Sequence, residues 1–461
     1  MINKRVIIFS LLSFLFHEVF AQITLRNAEE AAEFAISNSK EFTYQRLSVE
    51  NNLNSSKLAF QDFLPTFDVS FSEDDSVKIG AADSRSKSFS SSINQLVFDG
   101  GKRRLSFDMG KTDALFAYQE YEQAVKQYKS QIISSYYDCL TQKRMYEIKT
   151  NLLENARTQL EIINAEYQLG LALETDYLDY LISFKKLENE LKQSNRNLKT
   201  ALRKFNIAIG VAPEVEIDFK EDLINIEESF TEFEPKFDYL WEIGKTSNLD
   251  LRKTELSLYY AKKQYRLSKL IYVPDITLTG GLSFSGNEYP LSEPKFNMKL
   301  GLSFSRFPFF PLNFSLGGSF DQNRLNSISN QNSGSFSPQT TYFNQLKSQR
   351  ISMNQQQNQK QSGEQNFYEV LVEKIGEHDD LLSSINVLKE TIALQKRRIE
   401  ISKYEVEKGE KKRVDFLQEL QDLASSEISF YQSINGVKSS AREIEILLHM
   451  PFNSLDEVCK Q

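Results

Sequence analysis

The stretch GLALETDYL at residues 170–178 decides the fold, because its pattern returns at 409–417 as GEKKRVDFL. In both copies a Gly precedes an Asp by six positions, and an aromatic residue and a Leu follow the Asp at once. Glycine relaxes the backbone where a helix ends. The Asp can cap the first turn of the next helix, where its charge suits the positive end of the dipole. Each copy is therefore predicted to be the bend of a helical hairpin.

The segments on both sides of the two bends carry apolar residues at intervals of seven. Before the first bend the repeat runs through Tyr118, Val125, Ile132, Cys139, Tyr146, Leu153, Leu160 and Tyr167. Before the second it runs through Leu371, His378, Ile385, Ile392, Ile399 and Val406. A seven-residue repeat sustained over several heptads keeps one face of a helix against a partner and imposes coiled-coil packing. Two equivalent antiparallel hairpins are predicted, at about 102–208 and 341–448.

Residues 1–21 have the layout of a cleavable secretory signal peptide, with Lys4 and Arg5, a short apolar run, and Ala21 at the cleavage point. After them no apolar run reaches the roughly 18 residues of a helical membrane span, so a membrane crossing has to use β-strands. The formal net charge of −8 argues against nucleic acid as a partner. Two cysteines are too few for a disulfide framework.

Strand patterns precede both hairpins. At about 66–98 and 275–307, apolar residues alternate with polar ones, which is the period of a strand that faces two different media. The second half of the chain repeats the first, and the offset between equivalent residues grows from 209 at the preceding helix to 239 at the bends. The extra residues form an insertion at about 308–340. Residues 312–316 alternate like a strand, and whether the insertion extends the sheet or lies beside it stays open.

Four strands cannot close a barrel, and an open sheet edge in a bilayer leaves backbone groups without hydrogen bonds. Three chains supply 12 strands, which is enough for a barrel with a lumen. The hairpins, about 100 Å long at 1.5 Å per residue, are far longer than a membrane is thick. They are therefore expected to project into an aqueous compartment.

The chain resembles the TolC-like outer membrane efflux protein family, also called outer membrane factors, over essentially all of the mature sequence. The resemblance rests on LVFDGGKR at residues 96–103, the two bends, the strand-starting Pro65 and Pro274, and the tandem duplication. It implies an α+β membrane protein with a duplicated unit of two β-strands plus a long coiled-coil helical hairpin. This protein would trimerise into a 12-stranded β-barrel with a periplasmic α-helical tunnel.

The resemblance also implies a domain organisation. The signal peptide occupies residues 1–21. A first structural repeat spans 22–236 and ends in an equatorial connector at 211–236, which the resemblance assigns to a belt at mid-height of the helical tunnel. A second repeat spans 237–461 and ends in an equatorial tail at 450–461.

The function implied is an outer membrane exit duct of a tripartite efflux system, in the outer membrane of a Gram-negative-type bacterium and extending into the periplasm. A homotrimer in outer membrane lipid would passively pass substrates from an inner membrane pump, of RND or ABC type, and a periplasmic adaptor (membrane fusion) protein. A type I protein secretion duct has the same architecture. A non-pore periplasmic coiled-coil scaffold is the alternative from a different class.

The resemblance places the adaptor contact or the gate at the tips of the hairpins, in Gly170, Thr175, Asp176, Gly409, Val414 and Asp415. Four acids near the tips are candidates for a charged ring in the pore: Glu166, Glu405, Glu407 and Glu410. Threefold symmetry turns one inward-facing acid into three, and such a ring favours cations or constricts the pore. The alternative is that these acids are solvated helix ends.

Enzyme chemistry is not predicted, because no nucleophile, base and orienting acid occur in a recognisable setting. No cofactor or metal is predicted either. Cys139 and His378 occupy equivalent positions at the 239 offset. Two ligands do not make a four-coordinate metal site, so both are expected to fill the helix interface. Lys102, Arg103 and Arg104 are expected either to neutralise acids or carbonyls where strands meet helix, or to form a solvated face.

Overall fold

The computed structural model describes residues 23–76, 79, 84–221, 236–291, 294–321, 324–336 and 341–455. The predicted signal peptide, part of the equatorial connector and the end of the tail lie outside these residues. The chain divides into two compact units. The first consists of Met1–Tyr44, Glu122–Asn248 and Tyr368–Gln461, and the second of Gln45–Tyr121 and Leu249–Phe367.

The described residues form eight α-helices and eight strands, and each kind is numbered in chain order. The helices are α1 (Ala28–Asn38), α2 (Lys40–Leu58), α3 (Lys102–Gln168), α4 (Glu174–Ala208), α5 (Phe237–Ser247), α6 (Leu249–Ser268), α7 (Thr341–Glu407) and α8 (Arg413–Leu447). The strands are β1 (Ile23–Leu25), β2 (Thr66–Ser76), β3 (Ser84–Phe98), β4 (Ile217–Phe219), β5 (Asp275–Gly286), β6 (Lys295–Phe304), β7 (Leu312–Asp321) and β8 (Arg324–Gly334).

The two long hairpins have equal dimensions. Helices α3 and α7 contain 67 residues each, and α4 and α8 contain 35 each. Helix α7 continues through the Gln-rich residues 345–365, where the apolar repeat is lost. Polar contacts support it there, including an ion pair of 3.2 Å between Lys360 and Glu255 of α6. No helix of the described residues is long and apolar enough to cross a membrane.

The core of the first unit lies along the predicted apolar repeat. Ile132, Cys139 and Ile385 are each 2% exposed or less. Tyr136 packs its ring edge-on against Phe219 of the short strand β4, with the ring centroids 5.1 Å apart. Strand β4 pairs in parallel with β1. The buried face of α1 is made of alanines, so this helix packs closely.

The second unit contains a single antiparallel sheet with the strand order β2-β3-β5-β6-β7-β8. The prediction of two strands in each half is therefore wrong for the second half, which supplies four. The insertion forms β7 and β8, and β7 continues the sheet beyond β6 from the pair Phe304↔Leu312 to the pair Lys295↔Asp321. Sequence alternation does not reveal β8, because Ser, Asn, Gln and Gly fill most of its positions. Its strand conformation comes from the ladder it forms with β7.

Asp99 and two arginines fix the point where the sheet leads into α3. Asp99 accepts hydrogen bonds from the backbone amides of Gly101 and Arg103, at 3.0 and 2.7 Å, and so caps the helix. The Arg103 guanidinium donates to the carbonyl oxygen of Asp62 at 2.8 Å. Arg306 donates to the carbonyl oxygen of Asp99, also at 2.8 Å. The expected neutralisation of carbonyls is confirmed for Arg103, whereas Arg104 is an exposed residue paired with Asp108.

Candidate functional site at the two helical turns

Residues 169–173, here called turn 1, and residues 408–412, called turn 2, have the same backbone. Each long helix ends one residue before a Ccap residue, which is followed by a glycine with positive φ: Gly170 at 73° and Gly409 at 74°. In turn 1 the amides of Gly170 and Leu171 donate to the carbonyls of Tyr167 and Glu166. This is a Schellman motif, which satisfies carbonyls at the end of a helix.

Turn 2 repeats the same bonds at the 239 offset. The amides of Gly409 and Glu410 donate to the carbonyls of Val406 and Glu405, at 3.1 and 2.9 Å. The two glycines therefore stop their helices as the sequence pattern predicts. A residue with a Cβ would be strained at either position, although the space around both glycines is open.

The predicted caps of the returning helices are wrong. Leu173 and Lys412 are the N-cap residues of α4 and α8, and neither side chain accepts a capping hydrogen bond. Asp176 and Asp415 are the third residues of their helices, where their charges still lie in the first turn at the positive end of the dipole. Asp176 instead accepts a hydrogen bond from Lys412, with Oδ1 and Nζ 3.1 Å apart.

Turn 1 is stabilised by apolar and aromatic contacts. The rings of Tyr167 and Tyr177 stack across the turn, with centroids 5.4 Å apart and planes within 4° of parallel. Behind them Tyr180 is fully buried and donates to the carbonyl oxygen of Ala156 at 3.1 Å. Burial raises the pKa of the Tyr180 hydroxyl above its ordinary value, although the charge of Arg413 acts the other way. The outer side of the turn exposes three leucines: Leu169, Leu171 and Leu173.

Turn 2 is stabilised by charges. Glu419 is 7% exposed, accepts a hydrogen bond from Lys411 at 2.6 Å and forms an ion pair with Arg398 at 2.7 Å. Lys411 also donates to the Ser402 hydroxyl at 2.8 Å. Burial alone raises the pKa of Glu419, but the hydrogen bonds from Lys411 and Ser402 and the charge of Arg398 outweigh it and lower the pKa below its ordinary value.

Two polar bridges join turn 2 to the first hairpin. The Arg413 guanidinium binds both carboxylate oxygens of Glu166, with Nε–Oε2 and Nη2–Oε1 distances of 3.0 and 2.5 Å. Its Nη1 donates to the side-chain oxygen of Gln159 at 2.6 Å. The pair is bidentate, and the Arg413 side chain is only 14% exposed. It therefore belongs to the stronger class of ion pairs. The Lys412–Asp176 bond is the second bridge, and its lysine is exposed.

The structure gives the predicted tip residues different surroundings. Val414 is half-buried and packs against the hydrophobic core. Thr175 and Asp415 are exposed. Among the predicted pore acids, Glu166 is bound by Arg413. Glu405 lies 3.9 Å from Lys411, and Glu407 and Glu410 are exposed.

The sequence reasoning missed the residues that hold the tips together. These are Gln159, Tyr180, Arg398, Lys411, Lys412, Arg413 and Glu419. The run KKR at 411–413, directly after a helix-stopping glycine, was the available signal, because three cations in a tight turn need acidic partners. Glu166, the partner of Arg413, lies in the other hairpin, and no rule of sequence spacing identifies this pairing.

Cys139 and His378 are both buried. Cys139 belongs to the hydrophobic core, and burial raises the pKa of its thiol to about 12. His378 is fully buried, with its Nδ1 2.8 Å from the Ser440 hydroxyl oxygen. Within the described ranges, no group of three or more His, Cys, Asp and Glu side chains is placed to hold a metal ion.

Comparison with known proteins finds one family model that matches part of the chain, and solved structures that share its fold. Residues 32–211 match the sequence model of the family described as outer membrane efflux protein. No curated protein matches the chain. A solved structure of CusC, from a study of folding and transmembrane channel formation, superimposes with a TM-score of 0.73 at 12% identity, covering 93% of this chain and 94% of that one.

Two further channels superimpose over most of the chain. The Campylobacter jejuni CmeC outer membrane channel does so with a TM-score of 0.69 at 13% identity, covering 94% of this chain and 89% of that one. The open state of the Neisseria gonorrhoeae MtrE outer membrane channel gives 0.70 at 13% identity, with coverage of 92% and 89%. At identities this low, the superpositions establish the shared fold alone.

Proposed function

From its confirmed resemblance to the TolC-like outer membrane efflux proteins, we propose that this chain is the outer membrane exit duct of a tripartite efflux system. Three copies form the duct, and substrates pass through it passively from an inner membrane pump, of RND or ABC type, and a periplasmic adaptor. The energy comes from the pump. The observation that carries the proposal is the pair of equivalent hairpins, which Arg413 and Glu166 bridge beside the two turns within one chain.

In this proposal the two bridges are the gate. While Arg413 holds Glu166 and Lys412 holds Asp176, the second hairpin is tied to the first at its tip. We propose that this is the closed state. The hairpins part when an adaptor binds the tips, and the ion pairs are exchanged for water or for adaptor side chains. The helix ends can move without rebuilding their backbones, because both Schellman motifs lie within single hairpins.

The surfaces offered to the adaptor are the outer sides of the two turns. Leu169, Leu171 and Leu173 expose 67 to 77% of their surface, an arrangement that suits apolar side chains of a partner. Turn 2 offers Glu410 and Asp415, together with the exposed ammonium of Lys408. In a trimer three copies of each turn surround the mouth of the tunnel. On the first hairpin, Thr175 and Asp176 complete the contact. On the second hairpin, the half-buried Val414 supports the contact surface.

Among the predicted acids, Glu405 is the best candidate for a charged ring at the mouth. Glu166 is neutralised by Arg413 in the bridged state and presents its charge only after the bridge opens. Glu405 lies at the edge of the Lys411 cluster, with its nearest ion-pair contact at 3.9 Å and its side chain 43% exposed. Glu407 and Glu410 are further out on the turn and serve as comparison positions.

The test is conductance in planar bilayers. Purified protein should form long-lived pores, and Glu405→Gln should lower the preference for cations, because a ring of three negative charges is removed. Glu407→Gln is the matched control and should leave selectivity unchanged. A periplasmic scaffold without a pore would give no conductance, even in variants that break the Arg413–Glu166 bridge, and that outcome would refute the proposal.

A further inference from the structure

We propose that the sheets of three chains close one barrel of 18 strands, six from each chain, with β8 of one copy pairing with β2 of the next. This inference rests on the proposed trimer. It replaces the 12-stranded barrel expected from the sequence, because the insertion adds β7 and β8 to the same sheet. The partner at both open edges is a second copy of this chain.

One face of the sheet is mainly apolar, and each of the six strands contributes apolar side chains to it. A row of directly opposed residues crosses the sheet through Val69, Ser91, Leu282, Phe296, Phe320 and Leu325. Opposed residues of neighbouring strands share a face, so this row continues unbroken into β7 and β8. Phe67 at one edge and Ile328 at the other are 66 and 68% exposed. Exposed apolar side chains in such number suit a face that contacts lipid.

The opposite face is polar across the same six strands. A second row runs through Ser70, Ser90, Ser283, Lys295, Asp321 and Arg324. Hydroxyl pairs link the strands at both edges of the sheet: Ser70 with Ser90 at 2.6 Å, and Ser319 with Ser327 at 2.7 Å. The added hairpin therefore carries the same division into lipid and water faces along β7 and in the first part of β8, through Leu325 and Ile328. Asn330 and Asn332 are polar exceptions on the apolar face, at the end of β8 that leads to α7. The polar exceptions in the first hairpin of the sheet are Ser91, Gln95 and the opposed charges Glu73 with Lys87 and Asp75 with Arg85.

The two edge strands fit each other. β2 and β8 contain 11 residues each, and neither contains proline. With four strands between them in an antiparallel sheet, β2 and β8 run in opposite directions, so edge-to-edge pairing continues the antiparallel order. In the described chain neither strand has a partner on its outer side. A long edge without proline is a template for another strand, and in hydrocarbon it has to be paired.

Contacts within the sheet oppose the alternative that β7 and β8 lie outside a 12-stranded barrel. In that case β6 would pair with β2 of the next copy, and the β6–β7 ladder would have to break. That ladder is regular along the whole of β7, and Ser303 donates to the Asn313 side chain at 2.6 Å across it. The rings of Phe304 and Phe314 pack edge to face at 6.0 Å on the other side.

The consequence is a wider exit. Barrel diameter grows roughly linearly with strand number, so 18 strands give about one and a half times the diameter of 12. Barrels of 16 to 18 strands leave an aqueous channel.

Cysteine cross-linking between copies tests the strand pairing. Ser70→Cys or Ser72→Cys on β2 is combined with Ser327→Cys, Ser329→Cys, Gln331→Cys or Ser333→Cys on β8, so that every register near the middle of the strands is sampled. Each pair is treated with a short bis-maleimide in outer membranes. Cys459, the second cysteine of the sequence, is replaced by serine in the background, whereas Cys139 stays because it is buried in the core. The matched controls join the β2 cysteines to Asn297→Cys or Lys299→Cys on β6.

The expected result is covalent dimers and trimers from β2–β8 pairs and none from β2–β6 pairs. Cross-links from β2 to β6 instead would overturn the inference and leave the proposed trimer standing. So would an intact trimer, shown by native mass, in which no β2–β8 pair reacts. A chain that is monomeric in the membrane and does not conduct would refute the proposed function itself.

Discussion

Turn 1 and turn 2 share a backbone and differ in nearly every side chain around it. At the 239 offset, Leu169, Leu171 and Leu173 of turn 1 correspond to Lys408, Glu410 and Lys412 of turn 2. Behind the turns, the buried Tyr180 corresponds to the buried Glu419. The glycine and the helix register are sufficient to set the fold of a tip, so its surface is free to diverge. A trimer would present three apolar and three charged tips, which gives an adaptor two chemically different kinds of contact.

The largest expected difference between the turns follows removal of the Glu419 charge. Glu419→Gln leaves Lys411 beside a neutral amide in a buried site and should lower the free energy of unfolding by about 2 kcal/mol, because charge-assisted hydrogen bonds are lost. Tyr180→Phe removes one hydrogen bond in turn 1 and should cost about 1 kcal/mol. Denaturant unfolding of the purified protein measures both.

Glu407→Gln controls for the charge change at an exposed position of the same hairpin, at the end of α7, and should have no measurable effect. If Tyr180→Phe proved as costly as Glu419→Gln, the assignment of an ionic tip and an apolar tip would be wrong.

Substitution of the two glycines should have equal effects. Gly170→Ala and Gly409→Ala each place a Cβ at a φ near +73° with no neighbouring atom in the way, so the cost is backbone strain alone, about 1 to 2 kcal/mol. Gly110→Ala is the matched control, since Gly110 lies inside α3 in open space. This substitution should stabilise the protein by roughly 0.5 to 1 kcal/mol. Unequal costs at the two turns would mean that side chains, and not the shared backbone, determine how the tips fold.

The two turns should loosen at opposite ends of the pH scale. The pKa of Glu419 is lowered in the folded state, so its contribution is complete above the unfolded value of about 4.3 and is lost as the pH falls through the lower folded value. The pKa of Tyr180 is raised, so its contribution is complete below about 10 and is lost as the pH rises above that.

Limited proteolysis at controlled pH, with cleavage sites located by mass spectrometry, distinguishes the turns. Acid should expose 402–419 before 163–180, and alkali should do the reverse. Loss of both tips at the same pH would contradict the comparison.

The smallest effect is expected at Lys412. Its ammonium is exposed, and the bond to Asp176 raises the pKa of Lys412, so it stays charged at neutral pH. Exposed pairs of this kind contribute little to stability and are screened by salt. Lys412→Gln should leave the unfolding midpoint unchanged, and raising the salt concentration should have no further effect on the variant. A clear loss of stability would show that the Lys412–Asp176 bond stabilises the tip as strongly as the Arg413–Glu166 bridge does.

Much of the fold follows from the sequence because local signals agree with each other. Gly170 and Gly409 end their helices where the pattern predicts, and buried residues such as Ile132 and Ile385 follow the seven-residue repeat. Strand β8 escaped prediction because its residues are mostly small and polar, and only pairing with β7 makes it a strand. The Arg413–Glu166 bridge joins residues 247 positions apart, which no local pattern encodes.

The capping role predicted for Asp176 and Asp415 failed for a similar reason. A carboxylate near a helix start suits the dipole at several positions, and the sequence does not say which. The structure puts both residues two positions past the start of the helix and gives Asp176 a partner in the other hairpin. Side chains that bridge the two hairpins are therefore what the repeats alone could not supply.

The most direct test of the account is the single-channel conductance of a charge reversal across the bridge. Arg413→Glu and Glu166→Arg each place like charges together and should raise the open probability in planar bilayers. The double variant restores an opposite pair and should return conductance to the wild-type level, while Lys408→Glu, an exposed change of the same charge, should have no effect. Singles that conduct like the wild type, or a double variant that stays open, would contradict a gate held by Arg413 and Glu166.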